Sequence, residues 1–170
     1  MIKIIGAKGN IQDVESFLKK VTQFVENIDI LIQVFDANLI YGKNHLISAF
    51  EHAKRAMERK TNTTNSIEME TLLYSSGERQ LKHAIPKMGV KKGYVSIALI
   101  FIAEPKTKIS DQLVLEFLEE LSINRDDSVL EGDENTLKKF GITENEMETV
   151  PKDKYGNLIL EKVALVDIIK

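Results

Sequence analysis

No cysteine occurs anywhere in the chain. That excludes disulfides, thiolate metal sites and a cysteine nucleophile, and with no basic-plus-apolar leader at Met1-Ile2-Lys3 it points to a cytoplasmic protein. Long hydrophobic runs are missing too. The longest, Ile97 to Ala103, is seven residues, against the ~20 that a membrane-spanning helix needs, so no membrane partner is expected. Phosphate-cradling loops are absent: Gly6-x-x-Gly9 lacks the lysine-serine/threonine ending, and no G-x-G-x-x-G follows a strand. No serine lies in a nucleophile elbow, and His45, His52 and His83 lack the i, i+4 spacing of a helix-borne zinc site. Neither a cofactor nor a metal is expected.

What is present suffices for a real core. At 170 residues and 43% hydrophobic, the chain is long enough for one compact domain, residues 1 to 170, and too short for two. Met1 to Ala7 and Ile30 to Phe35 read as strands, and Tyr94 to Ala103, ending ahead of Pro105, is the strongest one. Residues 11 to 26 form an amphipathic helix with Val14, Phe17, Leu18, Val21, Phe24 and Val25 inward. Helices follow at about 43 to 59, 66 to 75 and 78 to 88, then at 111 to 121, around 134 to 140 and at 158 to 169, with a short strand at 128 to 131. Strands that are apolar on both faces call for helices above and below, so the expectation is an α/β (α+β) domain with a central mixed sheet flanked by helices. Thr61 to Ser66 and Thr149 to Asn157 read as polar, mobile loops.

Charge is unevenly spread. Residues 43 to 92 carry ten basic and five acidic side chains and all three histidines, whereas residues 93 to 170 carry nine and sixteen. This asymmetry suggests two surfaces with different partners, or helix faces that are simply solvated. His45 and His52, seven apart, fall on one side of their helix and read as edge or interface residues rather than ligands. Lys54, Arg55, Arg59 and Lys60 give that helix a basic end, for its own dipole or for phosphate. An enzyme would have to be built on Glu70, Arg79 and His83, a carboxylate, a guanidinium and an imidazole whose spacing does not force them together. The last helix is apolar on more than one stripe, with Leu158, Leu160, Val163, Ala164, Leu165, Val166, Ile168 and Ile169, which implies deep burial or a patch that another protein covers.

The segment Ile67 to Leu81 reads as two helices broken at a serine-glycine corner. Asn65 is a cap candidate for the first, Gly77 suits the left-handed position that ends it, and Ser75 or Ser76 can cap the second, with Leu81, Ala84 and Ile85 inward and Pro86 shortening it. Free amides after Ser76-Gly77, together with Arg79, Gln80, Lys82, His83 and Lys87, could hold phosphate. Tyr74 is either a stacking platform for a base or a core tyrosine, and Arg79 either a phosphate ligand or the ion partner of Glu70.

With Met69-Glu70, then Ser76-Gly77-x-Arg79-Gln80-Leu81, Ala84-Ile85 and Gly89, this segment resembles the small kinase-binding subunit of the KEOPS complex, the PRPK-binding protein (TPRKB) family in its archaeal form. Val34-Phe35-Asp36-Ala37, His45-Leu46 and Leu160-Glu161-Lys162-Val163-Ala164-Leu165 agree with it, whereas Pro86 and the long acidic stretch from 131 to 155 depart from it. The resemblance implies a non-catalytic subunit of the assembly that makes threonylcarbamoyladenosine in tRNA. Such a subunit binds and supports the kinase/ATPase subunit, touches the other KEOPS subunits through it, and recruits tRNA by its 3' CCA end. By position it implies RNA contact at Lys54, Arg55, Arg79, Gln80, Lys82 and His83, and kinase contact at Leu160, Val163, Ala164 and Val166, with Leu73. The alternatives are a stand-alone RNA-binding module or a small-molecule enzyme using Glu70, Arg79 and His83.

Overall fold

A computed structural model describes all residues, Met1 to Lys170. Strand β1 (Ile2–Ile11) leads through α1 (Val14–Val25) to β2 (Ile30–Asp36). A 3-10 turn (Ala37–Leu39) precedes three helices, α2 (Gly42–Arg59), α3 (Ile67–Ser76) and α4 (Leu81–Met88), and then β3 (Gly93–Ala103). Helix α5 (Asp111–Glu120) and a two-residue strand β4 (Asn124–Arg125) follow, then α6 (Glu134–Phe140), α7 (Glu144–Glu148) and α8 (Tyr155–Ile169). No helix is long and apolar enough to cross a membrane.

The result is an α+β domain whose sheet has the order β2-β3-β1-β4, with every pairing antiparallel. A mixed sheet was the sequence expectation, and the difference has a topological cause. β1 and β2 run in the same direction around the α1 crossover, as a β-α-β unit should, but β3 enters between them. Its register, with Ile5 opposite Leu99 and Val34 opposite the same Leu99, separates the two parallel strands. Residues 128 to 131 are not a strand either. Asp126 accepts hydrogen bonds from the Ser128 amide and hydroxyl, a local turn that closes into the 3-10 helix Asp127–Leu130.

Alternation along the strands sends side chains to two cores. Ile5, Ala7, Ile97, Leu99 and Phe101 pack under α1 and α5, where Phe117 meets Phe101 edge-on with ring centroids 5.3 Å apart. Ile4, Phe35, Ala98, Ile100 and Ile102 pack under the α2, α3, α4 and α6 side, together with Leu158 and Ile159 of α8. A second helical layer lies outside that core, because α2 offers small apolar residues to α8: Ala49, Ala53 and Ala56 receive Val163 and Val166. Small residues on α2 let the two helices approach closely, which positions α8.

The caps explain several boundaries. Asp13 accepts from the Ser16 amide, so α1 begins at Val14 rather than at Ile11. Reciprocal capping boxes, Asp133 with Thr136 and Thr143 with Glu146, start α6 and α7. The second box is legible as Thr-x-x-Glu, the signal that marks the unexpected α7.

Candidate protein and RNA interfaces

Gly77 ends α3 at φ 68°, as the corner requires, and a Cβ there would meet only ordinary contacts at 3.4 and 3.5 Å. Its need is therefore conformational rather than steric. Ser75 and Ser76 are fully buried, and their hydroxyls donate back to the Leu72 and Leu73 carbonyls at 2.8 and 2.6 Å. They do not cap α4. That helix begins at Leu81 behind an uncapped, extended Gln80, which moves the free amides from the glycine corner to the residues just past Gln80. Ser66, not Asn65, stands at the N-cap of α3, and it too makes no side-chain cap.

Around this corner Arg79, Gln80, Lys82 and His83 are all exposed. Lys87 is not part of the open set: it donates to the Ser76 carbonyl at 2.7 Å and lies 4.0 Å over the Phe140 ring, and burial pulls its pKa down. Lys54 is exposed and Arg55 half-buried on α2, which packs against α3. The six residues thus lie on α2, on the connection between α3 and α4, and on α4. Ile85 faces outward, against the expected inner stripe, and Met88 takes its place in the core.

Glu70 is fully buried and binds the 61 to 66 loop. Its carboxylate accepts from the Thr63 amide at 3.1 Å and the Thr64 amide at 2.8 Å, and Lys170 donates to it at 2.9 Å. Desolvation opposes ionisation here, yet Lys170 and the loop amides hold its pKa below the usual carboxylate value. Arg79 makes no ion pair with it, and six residues of α3 lie between Glu70 and Gly77, which are about 10 Å apart along the axis. Glu70, Arg79 and His83 therefore do not form one site, and the loop expected to be mobile is tied down.

Tyr74 is buried, so it is no stacking platform. Its hydroxyl donates to Asp167, which also bonds His52 Nδ1 at 2.7 Å, while the His52 ring stacks on Tyr74 with centroids 5.5 Å apart. Burial first, and then the Asp167 carboxylate, pushes the Tyr74 phenol up. Lys170 lies 4.5 Å above the same ring. His45 lies inside the core, not at an edge: Nδ1 accepts from the Tyr41 amide at 3.2 Å, which leaves Nε2 to donate to the Ser75 carbonyl at 2.8 Å. Burial depresses its pKa to about 4.

On α8, Val163 and Val166 are fully buried against α2, and Leu73 is fully buried in the main core. These three residues lie beyond the reach of any partner of the free chain. Leu160 is half-buried and Ala164 exposed. The outer face instead carries Leu165, Ile168 and Ile169, exposed by 37%, 77% and 45%. An apolar ridge on a helix whose inner face is already packed and whose end is pinned through Asp167 and Lys170 is what a docking surface requires.

The family described as "Kinase binding protein CGI-121" matches residues 9–167, nearly the entire chain. The chain belongs to the CGI-121 family. A relative, "Regulatory protein Cgi121" of Methanocaldococcus jannaschii, is 28% identical over 154 residues, which cover 89% of this chain and 93% of the relative. The family is described by its kinase binding and the relative by its regulatory role, and on this chain the exposed apolar ridge of α8 and the exposed polar and basic residues of the α3–α4 corner are the surfaces described above. The sequence showed that α8 is apolar on more than one stripe but not which of those residues face outward, because Val163 and Ile168 are alike in hydrophobicity.

Proposed function

We propose that this chain is a non-catalytic subunit of the KEOPS complex that docks the kinase/ATPase subunit on the ridge of α8 and helps recruit tRNA by its 3' CCA end at the α3–α4 corner. The observation that carries the kinase half is the apolar ridge, Leu165 and Ile168 with Ala164 beside them, on a helix braced by α2 and by the Asp167 and Lys170 contacts. Contact residues are thus Leu160, Ala164, Leu165 and Ile168, in place of the buried Leu73, Val163 and Val166. The RNA half is supported by the exposed Arg79, Gln80, Lys82 and His83, with Lys54 and Arg55 added from α2. A single-stranded end is held by such cations and hydrogen-bonding groups, at a salt-dependent cost.

Co-elution with the kinase subunit on a sizing column tests the first half. The native chain shifts, and the variant Ile168→Glu does not, although its melting temperature is nearly unchanged because that side chain is already mostly in water. Failure of the native chain to co-elute would sink the adaptor role, and retention by the variant would move the interface off α8. For the RNA half, Arg79→Glu/Lys82→Glu weakens binding of a CCA-ended oligonucleotide and lowers the salt slope by about 1.4, since each single-strand phosphate contact contributes about 0.7. An unchanged slope rejects the corner as the RNA surface.

A further inference from the structure

Strand β2 is an edge of the sheet and pairs with β3 alone. Its sequence, Ile30-Leu31-Ile32-Gln33-Val34-Phe35-Asp36, contains no proline or lysine, and no charge before Asp36. Edges of this length are normally blunted by such residues or covered. Here the edge forms the floor of an open groove of about 630 Å³, walled by α1 through Val14 and Leu18 and by α3 and α4 through Leu72 and Ile85. Leu18, Leu31 and Ile85 converge on it while remaining 41%, 40% and 46% exposed. One wall carries Glu68, whose carboxylate receives no hydrogen bond from the protein and whose Oε2 is covered. Lys91, the other ionisable group, turns its ammonium to the Pro86 and Gly89 carbonyls.

We infer that the groove takes an extended segment of a partner protein, added to β2 as a further strand, with apolar side chains at alternate positions and a lysine or arginine set against Glu68. Three observations select this occupant. An open strand edge offers backbone donors and acceptors at the spacing of another strand, and pockets on both sides accept alternate side chains. The half-buried carboxylate of Glu68, with its covered Oε2 unpartnered, asks for a cation among those side chains. A second copy of the chain does not fit, because β2 is recessed between helices and two such edges cannot come within the ~4.8 Å of a strand pair. Nor does RNA, since the lining offers one acidic group and a lysine that is already engaged. None of the lining lies on α8 or among Arg79, Gln80, Lys82 and His83, so this surface is independent of the two proposed above.

The test is selection of a displayed random dodecapeptide library on the native chain, with counter-selection on Leu31→Arg, followed by amide hydrogen exchange of the isotope-labelled chain with the enriched peptide. The expected peptides carry apolar residues at i, i+2 and i+4 and a lysine or arginine, and they slow exchange at alternate amides of Ile30 to Asp36. Leu31→Arg abolishes binding, and Glu68→Gln weakens it on the order of tenfold, the share of one charge-assisted contact. Should Leu31→Arg melt early, Ile85→Arg on the facing wall replaces it. Absence of enrichment over the counter-selection, or enriched peptides that leave β2 exchange unaltered, overturns the inference. So does slowing of the same amides by a CCA-ended oligonucleotide, or by raising the concentration of the chain alone. Full affinity in Glu68→Gln removes the cationic side chain from the proposal.

Discussion

His45 is the residue whose chemistry the fold constrains most. Both ring nitrogens are committed, and protonating Nδ1 would set its new N–H against the Tyr41 amide in a water-free core. Its folded pKa of about 4 lies below the ordinary histidine value, so the unfolded chain binds the extra proton first as pH falls. The stabilising effect is complete above about pH 6.5 and is lost progressively down to about pH 4, with a slope of up to about 1.4 kcal/mol per pH unit. Urea midpoints measured from pH 7.5 to 4.5 should decline through that window, and His45→Phe should flatten the decline; equal slopes for the two proteins would contradict it. Glu70 is a second such residue. Glu70→Gln leaves Lys170 buried without its counter-charge and costs on the order of 1–3 kcal/mol. The Thr63 and Thr64 amides should then exchange faster, and unchanged exchange would show that the loop is held by something else.

Among the elements, α8 separates packing from binding most cleanly. Val163→Glu drives a charge between Ala49, Ala53 and Ala56 and should abolish cooperative folding or cost more than about 3 kcal/mol, whereas Ile168→Glu, on the outer face, should change stability by less than about 0.5 kcal/mol. Thermal melts of the two variants decide whether the inner face has been identified correctly. At the α3–α4 corner, Gly77→Ala retains the available space but must adopt φ 68°, which costs about 1 kcal/mol. The two substitutions fail for different reasons, one by burial and one by backbone conformation. Helix α4 also shows how a proline can be tolerated: with eight residues and Pro86 near its end, little hydrogen bonding is left to lose.

At the scale of the molecule, the two cores share one sheet, so damage to either should unfold both. Phe117 lies on the inner face of α5 and belongs to none of the proposed interfaces. Phe117→Ala should cost about 3 kcal/mol, lowering Tm by roughly 6–12 °C, and amides of α8 on the far side should lose protection along with those of α5. Protection that fell only beside α5 would mean that the two faces unfold separately. The charge asymmetry reads differently in three dimensions than along the chain. Glu70 is paired with Lys170, and Lys87 is turned inward, while Lys54, Arg79 and Lys82 stay in water, so the basic surface is smaller than the residue count suggests.

Hydrophobic period and glycine signals are local, and they alone determined β1 to β3, the helix break at Gly77, helices on both faces of the sheet and the family resemblance carried by Ser76 to Gly89. Strand direction was not legible, because the insertion of β3 between β1 and β2 depends on contacts nearly a hundred residues apart. Nor was the facing of α8: Val163 and Ile168 are equally apolar, and only the alanine surface of α2 decides which one is buried. Polar residues were the hardest to place. Glu70 and His45 look from the sequence like surface chemistry and Tyr74 is open to either reading, yet each has its hydrogen bonds satisfied by groups that only the folded chain brings near, and that satisfaction is what allows them to be buried.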